Sequence, residues 1–233
     1  FKVSAYRDGK EKTAEFERGV LTKEFKEVKT SEDNGTGIIF VPDEMIFKKF
    51  HFVQEYLDNQ FWNYCYLNAG LVMNLKGKRY ISKNGRLDLL QRKTNEDEIR
   101  YPIIHLQGED IEIALTHESA YGEEYYSFVN GQFTTQGGTH LAAFREGYIK
   151  TIREFFKKDY DAADIRGSIC AALSIRVQEP VFESQTKTKL GSATVFEGGP
   201  SMKNFIGDFL GKELVNYLHK NPSVSEALKK RIE

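Results

Sequence analysis

Five apolar residues at every second position, Ile169, Ala171, Leu173, Ile175 and Val177, constrain this chain more than any other feature. Side chains alternate between faces along a strand, so the spacing predicts a β-strand over residues 168–177 with one face pressed on a core. Pro180 marks its exit, because proline cannot donate to a ladder. The stretch beyond it, Gln185-Thr-Lys-Thr-Lys189 followed by Gly191, concentrates two ammonium groups and three neutral hydrogen-bonding side chains in five residues. That chemistry suits a phosphate.

Before this strand the chain changes rhythm repeatedly. Phe1 to Tyr6 alternates like a strand, Arg7-Asp-Gly-Lys10 supplies a tight hairpin turn, and Glu15 to Val28 reads as further strand and turn. Asp33-Asn-Gly-Thr-Gly37 is expected to break the chain before Ile38 to Val41, and Pro42 and Asp43 to open a helical region. Val53, Leu57, Phe61, Tyr64 and Cys65 then recur at helical spacing, which predicts a helix ending near Gly70 and a strand over 71–75. Downstream, Tyr101 to Leu106, Ile111 to Leu115 and Tyr125 to Val129 predict a three-strand meander. Thr139 is placed to cap a helix whose stripe is Leu141, Phe144, Tyr148, Ile152 and Phe155. A last helical region carries Met202, Phe205, Phe209 and Leu210 inward, stops at Asn221-Pro222, and is followed by a capping-box signature at Ser223 to Glu226.

With 233 residues, 40% hydrophobic and 13% aromatic, the chain can bury a sizeable core as one large domain or two moderate ones. A formal charge of -1 provides no global field to draw it onto nucleic acid or an anionic membrane, so any polyanion contact must be local. The strongest such patch runs from Lys76 to Lys93, where Lys76, Lys78, Arg79, Lys83, Arg86, Arg92 and Lys93 face Asp88 alone. A solvated hairpin and linker at a domain boundary is one reading of it; a surface touching DNA phosphates is the other. Cys65 and Cys170 lie in apolar runs without CxxC spacing, which predicts two packed thiols in a reduced, cytoplasmic setting. No metal-ligand spacing occurs among the histidines. His140 reads as a loop-ordering hydrogen-bonder or, alternatively, a catalytic group. No apolar run approaches the roughly 18 residues of a membrane span. Phe1 is not an initiator methionine, and both termini read as cuts.

Three runs carry a family resemblance: Tyr126-Ser-Phe-Val-Asn-Gly-Gln-Phe-Thr-Thr-Gln-Gly-Gly-Thr-His-Leu-Ala-Ala-Phe-Arg145, Asp164-Ile-Arg-Gly-Ser168, and Glu179-Pro-Val-Phe-Glu-Ser-Gln-Thr-Lys-Thr-Lys-Leu-Gly191. Together they resemble the ATPase subunit of bacterial type IIA DNA topoisomerases. The resemblance is nearer to the topoisomerase IV line than to gyrase, which more often has a double Asn with an Ile, and an acid before Gly-Gly-Thr-His, where this chain has Asn130-Gly131 and Gln136. Gyrase also usually has Arg-Glu-Gly where Arg166-Gly167-Ser168 stands here. The resemblance implies an α+β fold: residues 1–88 as the C-terminal part of a GHKL-type nucleotide-binding domain, and 89–233 as a transducer domain with a left-handed strand-helix-strand crossover. It further implies ATP and Mg2+ as cofactors of the full-length protein, and as partners DNA, the topoisomerase IV A subunit and a second copy of the ATPase subunit, with no membrane. The family's catalytic Glu and its magnesium-holding Asn are expected upstream of Phe1, so this stretch alone is expected not to hydrolyse ATP. Other classes stay open at this point: a nucleic-acid-binding α+β module, or an interaction module of a related ATPase.

Site roles follow from the same resemblance. Lys187 corresponds to the lysine that contacts the γ-phosphate, and Gln185 to the loop's other γ-phosphate contact. Thr36 corresponds to a position lining the adenine pocket and Arg7 to an arginine at the pocket mouth, although a turn hydroxyl and a hairpin charge account for these two equally well. With the rest of the site upstream, the lysine loop is expected to be a mobile arm.

Overall fold

Two pairs of left-handed residues, Asp8-Gly9 (φ 51° and 74°) and Arg18-Gly19 (φ 48° and 84°), set the course of the first strands. Positive φ at both central positions matches the twist of a two-residue hairpin, so each pair reverses the chain tightly. The structure, a computed structural model, describes residues 1–120 and 122–233. It contains two compact units, Phe1–Tyr56 and Leu57–Glu233.

In the first unit β1 (Lys2–Arg7), β2 (Lys10–Glu17), β3 (Val20–Glu24) and β5 (Gly35–Ile39) form a sheet in the order β3-β2-β1-β5, with β4 (Val28–Lys29) pairing β2. The expected break at 33–37 ends sooner than its glycines suggest. Asn34 Oδ1 accepts the Asp8 N–H at 2.7 Å, and pairing with β1 starts at once, Gly35 opposite Tyr6 and Thr36 opposite Ala5. Asp43 then caps the short helix α1 (Glu44–Phe47), its Oδ1 accepting the Met45 N–H at 2.9 Å. Among the described residues of this unit only Ser4 and Thr13 are buried, joined hydroxyl to hydroxyl at 2.6 Å.

Helix α2 (Gln54–Leu67) crosses the division and leads to the hairpin of β6 (Val72–Leu75) and β7 (Lys78–Ile81), then to α3 (Arg86–Lys93). The segment 76–93 is therefore not a linker. Leu89 and Leu90 of α3 are buried, and with Tyr66 they cover Ala114, Phe128, Cys170 and Ala172 of a five-stranded sheet.

That sheet runs β11-β10-β12-β9-β8, built from β8 (Ile104–Gln107), β9 (Ile111–His117), β10 (Glu124–Val129), β11 (Gln132–Phe133) and β12 (Ile169–Ile175). The expected meander ends after two strands. β12 inserts between β9 and β10, antiparallel to the first (Ile169 opposite His117) and parallel to the second (Glu124 opposite Cys170). All seven of its residues are buried, the state of a strand covered on both faces, and such a strand belongs in the middle of a sheet rather than at its edge. Two parallel neighbours need a crossover, and α4 (Thr139–Phe156) provides it. Its stripe of Phe144, Tyr148 and Ile152 is fully buried against Ile113, Leu115, Ala171, Leu173 and Ile175.

After the short helix α5 (Ala162–Arg166) and β12, the C-terminal part closes the same core through α6 (Met202–Phe209), a π-helical turn (Leu210–Leu214), α7 (Val215–Lys220) and α8 (Pro222–Ile232). Two expected caps move by one or two residues. Thr139 lies inside α4, whose N-cap is Gly138, because its hydroxyl donates instead to the Ser192 carbonyl at 2.6 Å. Ser223 lies inside α8, because Pro222 supplies a preset first helical residue and Asn221 becomes the cap. Neither α4 nor any other helix among the described residues is long and apolar enough to cross a membrane.

Two buried histidines make the second unit acid-sensitive. His117 is held between the Tyr101 hydroxyl (2.5 Å) and the Ile165 carbonyl (2.9 Å), and burial lowers its pKa from 6.5 to about 4. Burial does the same to His140, whose Nε2 meets the Thr134 hydroxyl at 3.2 Å. His140 thus has the partner expected of a loop-ordering group. Both rings are neutral when folded, and the unfolded chain takes up their protons below pH 6.5. Stability should therefore be level above pH 6.5 with respect to these groups and fall as pH drops towards 4. Urea midpoints measured across that window test this, and a midpoint that does not move would refute it.

Candidate functional site

The chain leaves β12 under control. Asn130, at φ 49°, clamps Val177 from both sides, Nδ2 donating to its carbonyl (2.7 Å) and Oδ1 accepting its N–H (2.8 Å). Beyond Pro180 the segment folds back on itself: Glu183 N–H donates to the Lys189 carbonyl at 3.0 Å and Gly191 N–H to the Val181 carbonyl at 2.8 Å. The tip closes through Lys187 N–H to the Ser184 carbonyl at 3.0 Å, with Lys187 itself in the left-handed region at φ 54°. Non-glycine residues adopt that conformation rarely, and where they do it often marks function.

The two lysines of this tip differ. Lys189 is half-buried and ion-paired to Glu183 at 2.9 Å. Lys187 is exposed, and no carboxylate among the described residues neutralises it; Gln185 beside it is exposed as well. Ser184, Thr186 and Thr188 link their hydroxyls to one another (2.7 and 3.5 Å), which orders the tip between the two outward groups. A compact ammonium and an amide donor on one loop tip, without side-chain partners among the described residues, can take an anionic oxygen from outside the loop.

The base of this loop rests on the stretch before α4. Gln136 N–H donates to the Thr188 carbonyl (2.9 Å), Leu190 N–H to the Gly137 carbonyl (3.0 Å), and Thr139 N–H to the Leu190 carbonyl (3.1 Å). What sequence suggests as a mobile arm is pinned at its base to 136–139. The signal that could have revealed this is Gly137-Gly138, two residues that free a backbone edge for close approach.

Arg7 and Thr36 lie in the first unit, on the adjacent strands β1 and β5. Both are exposed, and the nearest acid to Arg7 is its neighbour Asp8 at 3.6 Å. The Asp8 to Asn34 bond ties the turn after Arg7 to the segment before Thr36, so both belong to one corner of that sheet.

Much of the basic run 76–93 is already engaged. Lys78 pairs with Asp58 (2.8 Å), Arg92 lies over the Trp62 ring (4.6 Å) and Lys93 over Tyr126 (5.3 Å). Arg86 is tied to Glu112 (2.8 Å), to Ser174 Oγ (2.7 Å) and to the carbonyls of Tyr66 and Leu67. Glu112 also accepts from His105 at 2.8 Å. Burial alone would raise its pKa, but the His105 bond and the Arg86 charge outweigh that and hold it low. Sequence reasoning missed this node, since its members are separated by some ninety residues.

One group of potential metal ligands occurs among the described residues: Glu118, Glu124 and Cys170, with ligand atoms within 4.8 Å of one another. It does not fit magnesium, which takes hard oxygen ligands. Burial and the two carboxylates push the Cys170 thiol up to about 12, so it stays protonated and is poorly suited to a softer metal too.

Comparison with known proteins agrees with this architecture. The family described as DNA gyrase B matches residues 74–233. The B subunit of DNA topoisomerase 4 from Borreliella burgdorferi is 38% identical over 235 residues, covering all of this chain and 39% of that protein. The B subunit of DNA gyrase from Cytophaga aurantiaca is 28% identical, covering 99% of this chain and 52% of its own length. The chain thus spans between about two fifths and one half of these relatives. The topoisomerase IV ATP-binding domain of Francisella tularensis, solved with a small-molecule inhibitor, superposes with a TM-score of 0.76 at 22% identity, over 99% of this chain and 67% of that one. At that identity the superposition speaks for the fold.

Proposed function

The chain belongs to the DNA gyrase B family, and from that premise we propose that it is part of the ATP-hydrolysing subunit of a type II DNA topoisomerase, of the topoisomerase IV line, in which the loop after β12 reads the γ-phosphate of ATP. The observation that carries the proposal is Lys187, an unneutralised cation at the tip of a loop whose base is fixed by backbone hydrogen bonds. A pre-set ammonium needs little reorganisation when charge builds on a transferring phosphoryl group, and it counts for more where a closed site excludes water. Gln185 donates beside it. Within the first unit, Thr36 corresponds to the adenine side and Arg7 to the mouth of the family's nucleotide pocket. By family likeness residues 1–88 belong to the nucleotide-binding part and 89–233 to the transducer, a line that differs from the division by compactness at Tyr56. Magnesium would supply charge neutralisation at the phosphates when bound, and the Glu118, Glu124 and Cys170 group does not suit it.

The action is a switch. With ATP bound, Lys187 and Gln185 tie the transducer to the nucleotide while two copies of the ATPase subunit enclose a DNA duplex; loss of the γ-phosphate removes their partner and lets the transducer move as a rigid body. The A subunit and DNA are the partners, in the cytoplasm. A nucleic-acid-binding module reading through 76–93 is less well supported, since Lys78 and Arg86 are paired within the protein. The test is ATP-dependent relaxation and decatenation by the full-length protein with its A partner. Strand passage that stops without ATP is expected, and activity indifferent to ATP would overturn the proposal.

A further inference from the structure

We infer that Gly138 and Thr139 are positioning residues for Lys187, and that the lysine loop and helix α4 form one mechanical piece. The inference rests on the reading of Lys187 as the γ-phosphate contact. It begins with an unmet need. The first N–H groups of a helix have no partner within it, and the N-cap of α4, Gly138, has no side chain to offer. The Leu190 carbonyl takes the place of a cap by accepting the Thr139 N–H at 3.1 Å. Four hydrogen bonds then join the two segments: Gln136 N–H to Thr188, Leu190 N–H to Gly137, Thr139 N–H to Leu190, and Thr139 Oγ1 to the Ser192 carbonyl. Thr188 is the residue directly after Lys187, so the register of this seam sets where the ammonium stands.

Gly138 is what permits the seam. Its φ of +131° is one that L-residues rarely adopt, and a Cβ there would lie 2.5 Å from the Leu190 nitrogen and closer still to the Leu190 carbonyl oxygen. Both are backbone atoms that cannot rotate away. Any side chain at 138 must therefore push the loop off the start of α4. At Gly137, also at positive φ (+66°), a Cβ would meet the Leu141 side chain, 2.7 Å from its Cδ2, so the obstruction there lies on α4 itself and not on the loop backbone. The far part of α4 is locked in the core by Tyr148 and Ile152, so a shift at the seam displaces the loop rather than the helix.

The experiment pairs kinetics of the full-length protein with amide exchange measured on the same full-length protein. Gly138→Ala should lower kcat for ATP hydrolysis on the order of 100-fold, the effect of misplacing a reacting group by about 1 Å. Affinity for a non-hydrolysable ATP analogue should be unchanged. In the same variant the Thr139 and Leu190 amides should lose protection while those of β12 keep theirs. Thr139→Val, which preserves shape and removes only the bond to Ser192, should lower kcat about fivefold, as expected for one hydrogen bond. Normal kcat in Gly138→Ala beside an inactive Lys187→Ala overturns the positioning role alone. Normal kcat in both overturns the reading of Lys187 itself. If Gly138→Ala does not fold, Thr139→Val decides: a reduced kcat supports the inference and an unchanged one refutes it.

Discussion

Replacing Lys187 with alanine in the full-length protein is expected to lower ATP turnover by about 100- to 1000-fold, the usual cost of removing one donor aimed at developing charge. Strand passage should disappear with it. Nucleotide binding should persist, because the ammonium meets only the last phosphate. The folded state should hardly notice, since Lys187 is exposed and has no charged partner among the described residues, and surface changes of that kind stay within about 0.5 kcal/mol. Lys187→Arg should restore little, because a planar guanidinium presents its donors differently from a point-like ammonium. Lys189→Ala is the internal control: that side chain is committed to Glu183, a partly exposed pair worth at most about 1 kcal/mol, and its loss should leave turnover close to normal. Turnover near wild type in Lys187→Ala, or equal losses in the two variants, would show that the loop is merely a basic surface.

The largest effect on stability is expected at Phe144. It is fully buried on α4, stacked on Tyr148 with ring centroids 5.9 Å apart and edge-on to Tyr125 at 6.2 Å. Phe144→Ala removes the middle ring of that column, and a cost of about 4 kcal/mol is expected from the cavity and the lost burial. Against a total stability of about 5–15 kcal/mol, that leaves the second unit marginal. In a domain of this size the loss corresponds to a fall in Tm of about 10 °C, readable by calorimetry. Phe144→Leu should recover most of it. A Tm that does not move on Phe144→Ala would mean that the stripe of α4 is not the packing face.

The features readable from sequence were those set by neighbours along the chain. The period of Ile169 to Ile175 announced β12, the stripe of Phe144, Tyr148 and Ile152 announced α4, and Asp8-Gly9 announced a turn, because each depends on local geometry. The Gln185 to Lys189 chemistry was visible for the same reason. What could not be read depends on distant partners. Nothing within Tyr125 to Val129 discloses that it pairs with a strand some forty residues later and not with β9. Thr139 looks like a cap until Ser192 is seen to claim its hydroxyl. The basic run 76–93 looks solvated until Glu112, Ser174 and the Trp62 ring come to meet it. Composition gives Lys187 and Lys189 the same charge; the family resemblance singles out Lys187, but the Glu183 partner that occupies Lys189 shows only in the folded loop.

The central place of β12 also governs the order in which the second unit can assemble. β8 with β9, and β10 with β11, are hairpins between near neighbours and can form within microseconds. Neither can join the other until β12 arrives to fill the gap, after α4 and α5 have been made. Until then the inner rims of β9 and β10 present unpaired backbone, and such edges invite pairing with another chain. During synthesis the chain therefore passes through a period in which four of the five strands of this sheet are made and its seam is open. A nascent chain released before residue 169 should be a substrate for chaperones or a seed for aggregation, whereas one that has passed residue 175 carries the strand that closes the sheet.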